Sequence, residues 1–161
     1  MVDRELLVSW LNDAYAMEHA MIPVLENHAK DAGDDAEARS RMELHVEQTR
    51  RHAELVEGCL ERLGSSTSAL KKGTASVLGT LQSVATGMFR DEAIKNALSD
   101  YATEHFEIAA YRALAEAARQ AGEADIEEVC EEIRRDEEEM ASWLEERIPT
   151  IVRQVAAERR T

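Results

Sequence analysis

The chain carries a short motif twice, as Tyr15-Ala16-Met17-Glu18-His19 and again as Tyr101-Ala102-Thr103-Glu104-His105. Each copy follows closely after an aspartate, Asp13 in the first case and Asp100 in the second. The glutamate of each copy falls within an apolar stripe at helical spacing, so we expect both carboxylates to point into the protein. The repeat predicts a duplicated helical hairpin with one acidic site at its centre.

Composition favours a single helical domain over 1–161. The chain has 161 residues, 44% of them hydrophobic, which is enough for one core and too little for two. Only seven glycines and two prolines interrupt it. The 33 acidic residues against 19 basic ones give a formal charge of −14, which would repel a phosphate backbone, so we expect no nucleic-acid partner. The excess charge otherwise fits solvated helix faces.

Several features predict a soluble cytoplasmic protein. Cys59 and Cys130 form no CxxC pair and fall among apolar helical positions, which indicates buried free thiols. The first residues include Asp3, Arg4 and Glu5, where a signal peptide would be apolar. No run approaches the roughly 20 apolar residues of a membrane span, so we expect no membrane partner.

Caps and periodicity predict two helical hairpins joined by a long connection. Asp3, Asp91 and Asp125 are placed to cap helices, and Gly64 and Gly122 to end them. The predicted helices cover about 4–30, 36–63, 92–121 and 126–147, with a crossover at 64–91 that holds a short helix and a helical tail at 149–160 after Pro149. This is the topology of an all-α, ferritin-like four-helix bundle.

Four glutamates occupy positions where helical periodicity requires an apolar residue: Glu18, Glu104, Glu107 and Glu137. A lone glutamate on such a face more often pairs with arginine or reaches solvent than binds metal. Burying an ionised carboxylate without a partner costs several kcal/mol. A cluster of four must therefore be neutralised by protons, arginines or metal ions.

The second helix presents a polar face at the same level, formed by His45, Gln48 and His52. These side chains can supply neutral nitrogen or oxygen ligands, although core histidines are more often satisfied by hydrogen bonds alone. Carboxylate-rich sites with one or two imidazoles suit iron or manganese, with zinc as an alternative occupant.

With these residues in view, the chain resembles the YciE/YciF-type family of bacterial ferritin-like stress proteins, whose function has long been unknown. The resemblance rests on three stretches, at 11–18, at 45–52 leading to Leu63-Gly64, and at 104–111. It covers most of the chain except the crossover and the C-terminal tail. It implies a ferritin-like fold and a homodimer.

More distantly, Glu104-x-x-Glu107 followed by Glu137 is similar to half of a rubrerythrin-type di-iron site. The chain departs from that pattern at Met140, where such sites have histidine, and in lacking Glu-x-x-His on the second helix. His52 can substitute there. The ligands that we predict are Glu18, Gln48, His52, Glu104, Glu107 and Glu137, and the residues that we expect to orient them are Tyr15, His45, Tyr101 and Tyr111.

Two hypotheses for function follow. In the first, the core holds up to two iron or manganese ions, and the protein sequesters metal or consumes peroxide or dioxygen during oxidative stress, although the sequence identifies no catalytic residue. In the second, the protein is a metal-free helical dimer with a structural or interaction role in the stress response. Metal content, and the effect of removing Glu18 and Glu104 together, distinguish them.

Overall fold

Four long helices make up the part of the chain that the computed structural model describes, which is residues 2–65 and 91–158. They are α1 (Arg4–Asp31), α2 (Ala36–Arg62), α3 (Glu92–Ala121) and α4 (Ala124–Glu158). These residues contain no strand, so the all-α prediction is confirmed. The short helix predicted within 64–91 lies almost wholly outside the described residues. The prediction of one domain over 1–161 includes undescribed residues and stays a prediction.

Local capping chemistry sets most of the helix ends. The carboxylate of Asp3 accepts a hydrogen bond from the Leu6 N–H at 2.8 Å, and Asp35 accepts one from the Ala38 N–H at 3.0 Å. These bonds satisfy backbone donors that a first helical turn leaves unpaired. Gly122 ends α3 with a φ of 79°, a conformation that a residue without Cβ adopts without strain.

The fourth helix differs from its predicted bounds of 126–147, since it begins at Ala124 and continues through Pro149 to Glu158. Proline removes one N–H from the helical ladder, but Pro149 is exposed, so water can bond the carbonyl that loses its partner. The continuation is also tied to the first hairpin. Arg147 bonds the carboxylate of Asp35, and the Gln154 amide donates to the same carboxylate at 3.2 Å.

The helices pack as two antiparallel hairpins, α1 with α2 and α3 with α4. Contacts from Glu18 to Tyr111 and from His28 to Asp100 show that α1 and α3 are also antiparallel. Apolar side chains fill the bundle in two separate clusters, one around Leu7, Val56 and Ile126 and the other around Leu25, Met42 and Leu144. A layer of buried polar side chains lies between these two clusters.

Candidate metal centre

The polar layer consists of side chains from all four helices. Six ionisable side chains form its centre, and none is more than 3% exposed: Glu18 on α1, His45 and His52 on α2, Glu104 and Glu107 on α3, and Glu137 on α4. The set comprises four carboxylates and two imidazoles. Both imidazoles come from α2. They can both reach the layer because residues seven apart lie two turns apart on the same face of a helix.

The ligand atoms form two groups that share Glu137. One group contains Glu18, His52 and Glu137, and the other contains His45, Glu104 and Glu137. Within each group, one atom from every residue lies within 4.8 Å of the others. A carboxylate common to two such groups is the arrangement that a bridging ligand requires.

Short contacts hold each histidine against the carboxylates. His45 Nε2 lies 3.1 Å from Glu104 Oε1 and 3.7 Å from Glu137 Oε2. His52 Nδ1 lies 2.9 Å from Glu137 Oε1 and 3.8 Å from Glu18 Oε2. Each imidazole therefore directs one nitrogen toward the cluster and the other away from it.

The outward nitrogen of each imidazole meets a polar side chain. His52 Nε2 lies 3.0 Å from Asp136 Oδ2, and His45 Nδ1 lies 3.4 Å from Gln48 Oε1. The His45 backbone carbonyl accepts a hydrogen bond from the Thr49 hydroxyl at 2.9 Å. Side chains that contact the outward ring nitrogen, as Asp136 and Gln48 do here, fix the orientation of a histidine that ligates metal.

The residues predicted as ligands are distributed as follows. Glu18, His52, Glu104, Glu107 and Glu137 lie together in the buried layer. Gln48 is only partly buried, and its amide oxygen faces the outward nitrogen of an imidazole. The nitrogen that faces the carboxylates at this level of α2 belongs to His45, which we had expected to orient ligands.

The three predicted tyrosines have different surroundings. Tyr111 is fully buried and donates its hydroxyl hydrogen to Glu18 Oε1. Tyr15 and Tyr101 each stack edge-on against the histidine four residues later, with ring centroids 4.4 Å apart. Tyr111 is thus in direct contact with the carboxylate cluster. Tyr15 and Tyr101, the tyrosines of the repeated motif, make the same contact with the histidine of their own copy.

Sequence reasoning missed Asp136. It lies within a long acidic stretch that is typical of a solvated helix face, and only its position next to Glu137 set it apart. One pattern could have indicated Asp136. It directly precedes a glutamate that helical periodicity places in the core, and another helix carries two histidines seven residues apart.

Burial shifts the protonation equilibria of the cluster. Loss of solvent and the nearby charge of Glu137 raise the pKa of Glu18 to about 8. Burial likewise raises the pKa of Glu104 to about 8 and that of Glu137 to about 7, and it holds the pKa of Glu107 well above its usual range. Without a cation, these carboxyl groups therefore keep protons that they would lose in water.

His52 shifts for the opposite reason. Burial by itself would lower its pKa, but the close contact with the negative charge of Glu137, with Glu18 and Asp136 adding to it, raises the pKa to about 9. A protonated His52 partly compensates the negative charge of the cluster. A metal ion that binds here must replace this proton and those on the carboxyl groups.

The donor atoms fit a metal. Six buried ligand atoms of the cluster have no hydrogen-bond partner among the described residues: Glu18 Oε2, His52 Nδ1, Glu104 Oε2, Glu107 Oε1 and both carboxylate oxygens of Glu137. The His52 and Glu137 atoms are close, yet they are not aligned for a hydrogen bond. Buried polar atoms are rarely left unpaired, and hard oxygen donors with imidazole nitrogens suit iron or manganese.

Solved structures share this fold. A Xanthomonas campestris protein is 40% identical, with a TM-score of 0.84 over 98% of this chain and 99% of its own. The E. coli stress protein YciF is 21% identical, with a TM-score of 0.77 over 95% and 99% of the two chains. The bacterioferritin of Desulfovibrio desulfuricans, a protein described by its diiron site, is also 21% identical, with a TM-score of 0.76 over 93% and 82%.

These similarities confirm the ferritin-like helical bundle. In the described residues, no helix combines the length and apolarity needed to cross a membrane. A family model described as "Domain of unknown function (DUF892)" matches residues 2–157, and this match confirms the resemblance to YciE/YciF-type proteins. The chain belongs to this DUF892 family.

Proposed function

We propose that the bundle core binds two divalent metal ions, iron or manganese, and that the protein protects the cell under stress by sequestering metal or by consuming peroxide or dioxygen. The observation that carries the proposal is the pair of buried ligand groups that share Glu137. Several oxygen atoms in these groups lack a hydrogen-bond donor among the described residues, and a bound cation would satisfy them.

The roles of the ligands follow from the grouping. Glu18 and His52 would hold one ion, His45 and Glu104 would hold the other, and Glu137 would bridge them. Glu107 would contribute a further carboxylate from the turn of α3 that follows Glu104. Redox-active ions at this position would supply the electrons that reduction of peroxide or dioxygen requires. Zinc, which has no redox chemistry, is the alternative occupant.

The chain's own residues would contribute orientation, exclusion of water and control of protons. Tyr111 restrains the Glu18 carboxylate through its hydroxyl, and the apolar clusters on either side keep the ligands at most 3% exposed. Because the pKa values of Glu18 and Glu104 are about 8, these groups can take up and release protons near neutral pH.

The similar proteins support the two parts of the proposal separately. The bacterioferritin is described by its diiron site, and YciF is described as a stress protein. Four glutamates and two histidines occupy the core of the present chain, although Met140 stands where the rubrerythrin pattern has histidine. Placement of both histidines on α2 offsets that departure.

Elemental analysis of protein purified without chelator or affinity metal tests the proposal. We expect about two equivalents of iron or manganese per chain. The Glu137→Gln variant should lose both ions, because its carboxylate belongs to both groups. Glu139→Gln removes an exposed carboxylate from the same helix and should keep them. Wild-type protein that binds neither metal after reconstitution would refute the proposal.

That negative result would favour the metal-free helical protein. In this case Glu18→Ala combined with Glu104→Ala should leave the fold intact or stabilise it, because buried carboxylates without metal are destabilising. Under the metal proposal, the same double change abolishes binding and the metal-dependent part of thermal stability. Homodimer formation is proposed with either function, and sedimentation analysis measures it. A cytoplasmic location stays a prediction.

A further inference from the structure

We infer that Asp136 is a positioning residue, which holds the imidazole of His52 so that Nδ1 faces the carboxylate cluster and is presented to a metal ion. The inference rests on the proposed function for the presence and identity of that metal ion. The orientation of the His52 ring is argued from its contacts alone.

Hydrogen-bond chemistry determines which nitrogen of His52 carries a proton toward Asp136. An ionised carboxylate can only accept, so the contact of 3.0 Å between His52 Nε2 and Asp136 Oδ2 requires a hydrogen on Nε2. In the neutral ring the lone pair then resides on Nδ1. That atom lies 2.9 Å from Glu137 and 3.8 Å from Glu18, and it has no hydrogen-bond partner among the described residues.

The position of Asp136 suits this role. It is adjacent to Glu137 on α4, so one segment of backbone places both a central ligand and the group that orients another ligand. Its side chain is 24% exposed whereas His52 is fully buried, so Asp136 lies at the edge of the site and not within it. Arg51 places a guanidinium 4.0 Å from the same carboxylate and also contacts Glu132.

Three variants of Asp136 separate orientation from packing. Asp136→Ala removes the acceptor. Asp136→Asn keeps the shape, but its amide can donate to Nε2 and so favours the opposite tautomer, as the same replacement does in the serine-protease triad. Asp136→Glu restores the acceptor. Glu132→Gln is the matched control, because it removes a carboxylate from the same helix and from the same arginine without touching His52.

The first measurement uses metal-free, 15N-histidine-labelled protein above the His52 pKa of about 9, where the ring is neutral and only one of its nitrogens carries a hydrogen. Hydrogen-bonded imidazole protons exchange slowly enough to be observed, so NMR should detect the His52 Nε2 proton in the wild type and in Glu132→Gln. We expect Asp136→Ala and Asp136→Asn to lose this signal and Asp136→Glu to recover it. Retention of the signal in Asp136→Ala would overturn the inference.

The second measurement is the affinity for Mn²⁺ and Zn²⁺. Asp136→Ala and Asp136→Asn should bind 10- to 100-fold more weakly, roughly the loss usual for an outer partner of a ligating histidine. Glu132→Gln should stay within about twofold of the wild type, since an exposed ion pair contributes little. In the zinc complex, 15N shifts should place the metal on Nδ1. Metal on Nε2, or unchanged affinity in both variants, would overturn the inference.

The two proposals fail in different ways. Wild-type protein that binds neither ion but shows the Nε2 proton, with loss of that signal in Asp136→Ala, would refute the metal function and support the orienting contact. Wild-type protein that binds metal, with the same affinity and the same Nε2 proton in Asp136→Ala, would support the metal function and refute the role of Asp136.

Discussion

Replacing Glu18 by glutamine in the metal-free protein should make the protein's stability less dependent on pH. Glu18 is fully buried, and burial together with the charge of Glu137 raises its pKa from 4.5 to about 8. Between these values the folded protein keeps a proton that the unfolded chain has released. A group whose pKa is raised by folding stabilises the protein fully below the unfolded value, and this contribution is lost as pH rises toward 8.

The size of the effect follows from a difference of one proton. Each pH unit within the window changes the free energy of unfolding by about 1.4 kcal/mol per group. The side chain introduced by Glu18→Gln would carry no titrating proton, and its amide oxygen could still accept the Tyr111 hydrogen bond. From about pH 5.5 to about pH 7, the variant should therefore gain about 2 kcal/mol relative to the wild type.

Urea unfolding followed by far-UV circular dichroism measures this difference. The protein is first stripped of metal with chelator, and each transition is recorded across that pH range. Glu139→Gln, which changes an exposed glutamate on α4, should follow the wild-type dependence. If Glu18→Gln and wild type lose stability in parallel as pH rises, then Glu18 is already ionised in the folded metal-free protein and the reasoning is wrong.

Three further outcomes can be checked. Tyr111→Phe should destabilise the metal-free protein by about 1–3 kcal/mol in urea unfolding, because Glu18 loses its buried donor; a change below about 0.5 kcal/mol would contradict this. Burial raises the pKa of Cys59 to about 11 and that of Cys130 to about 12, so native thiols should react at least about a hundredfold more slowly than in urea, and rapid native labelling would disprove it. Metal addition near pH 6.5 should release about two or more protons per chain into a weakly buffered indicator solution, whereas binding without release would show that the ligands were already deprotonated.

The helices and the acidic side chains of the core were predictable because their signals are local. Caps such as Asp3 and Asp35 act on backbone groups within the next turn, and helical phase alone separates Glu137 from its acidic neighbours. When a helix packs through its apolar stripe, a glutamate within that stripe is necessarily buried. The sequence therefore identified Glu18 and Glu104 without knowledge of how the helices cross.

The course of α4 beyond Pro149 was less predictable. Proline disfavours a helix interior, so the sequence indicated a bend or an end near 147. The helix continues because contacts from Arg147 and Gln154 to Asp35, more than a hundred residues away in the chain, hold its last turns against the first hairpin. Here the tertiary contacts outweigh the low helix propensity of proline.

Packing between helices determines which side chains of α2 face the carboxylates of the candidate site. His45 and Gln48 lie three residues apart on a face of α2 that is polar at every nearby position, so periodicity could not choose between them. The choice depends on the rotation of α2 against α3 and α4, which places His45 against Glu104. In the same way, Asp136 meets His52 only because α2 and α4 cross at that level.

The sequence by itself determined the four helices and the burial of carboxylates at the repeated Tyr-Ala-x-Glu-His motif, because hydrophobic periodicity and capping act within a few residues. Only the tertiary structure decided that Glu137 lies between two groups of ligand atoms and which nitrogen of each histidine faces them. Those relationships are distances between helices, and they depend on how four amphipathic surfaces rotate to bury their apolar stripes together.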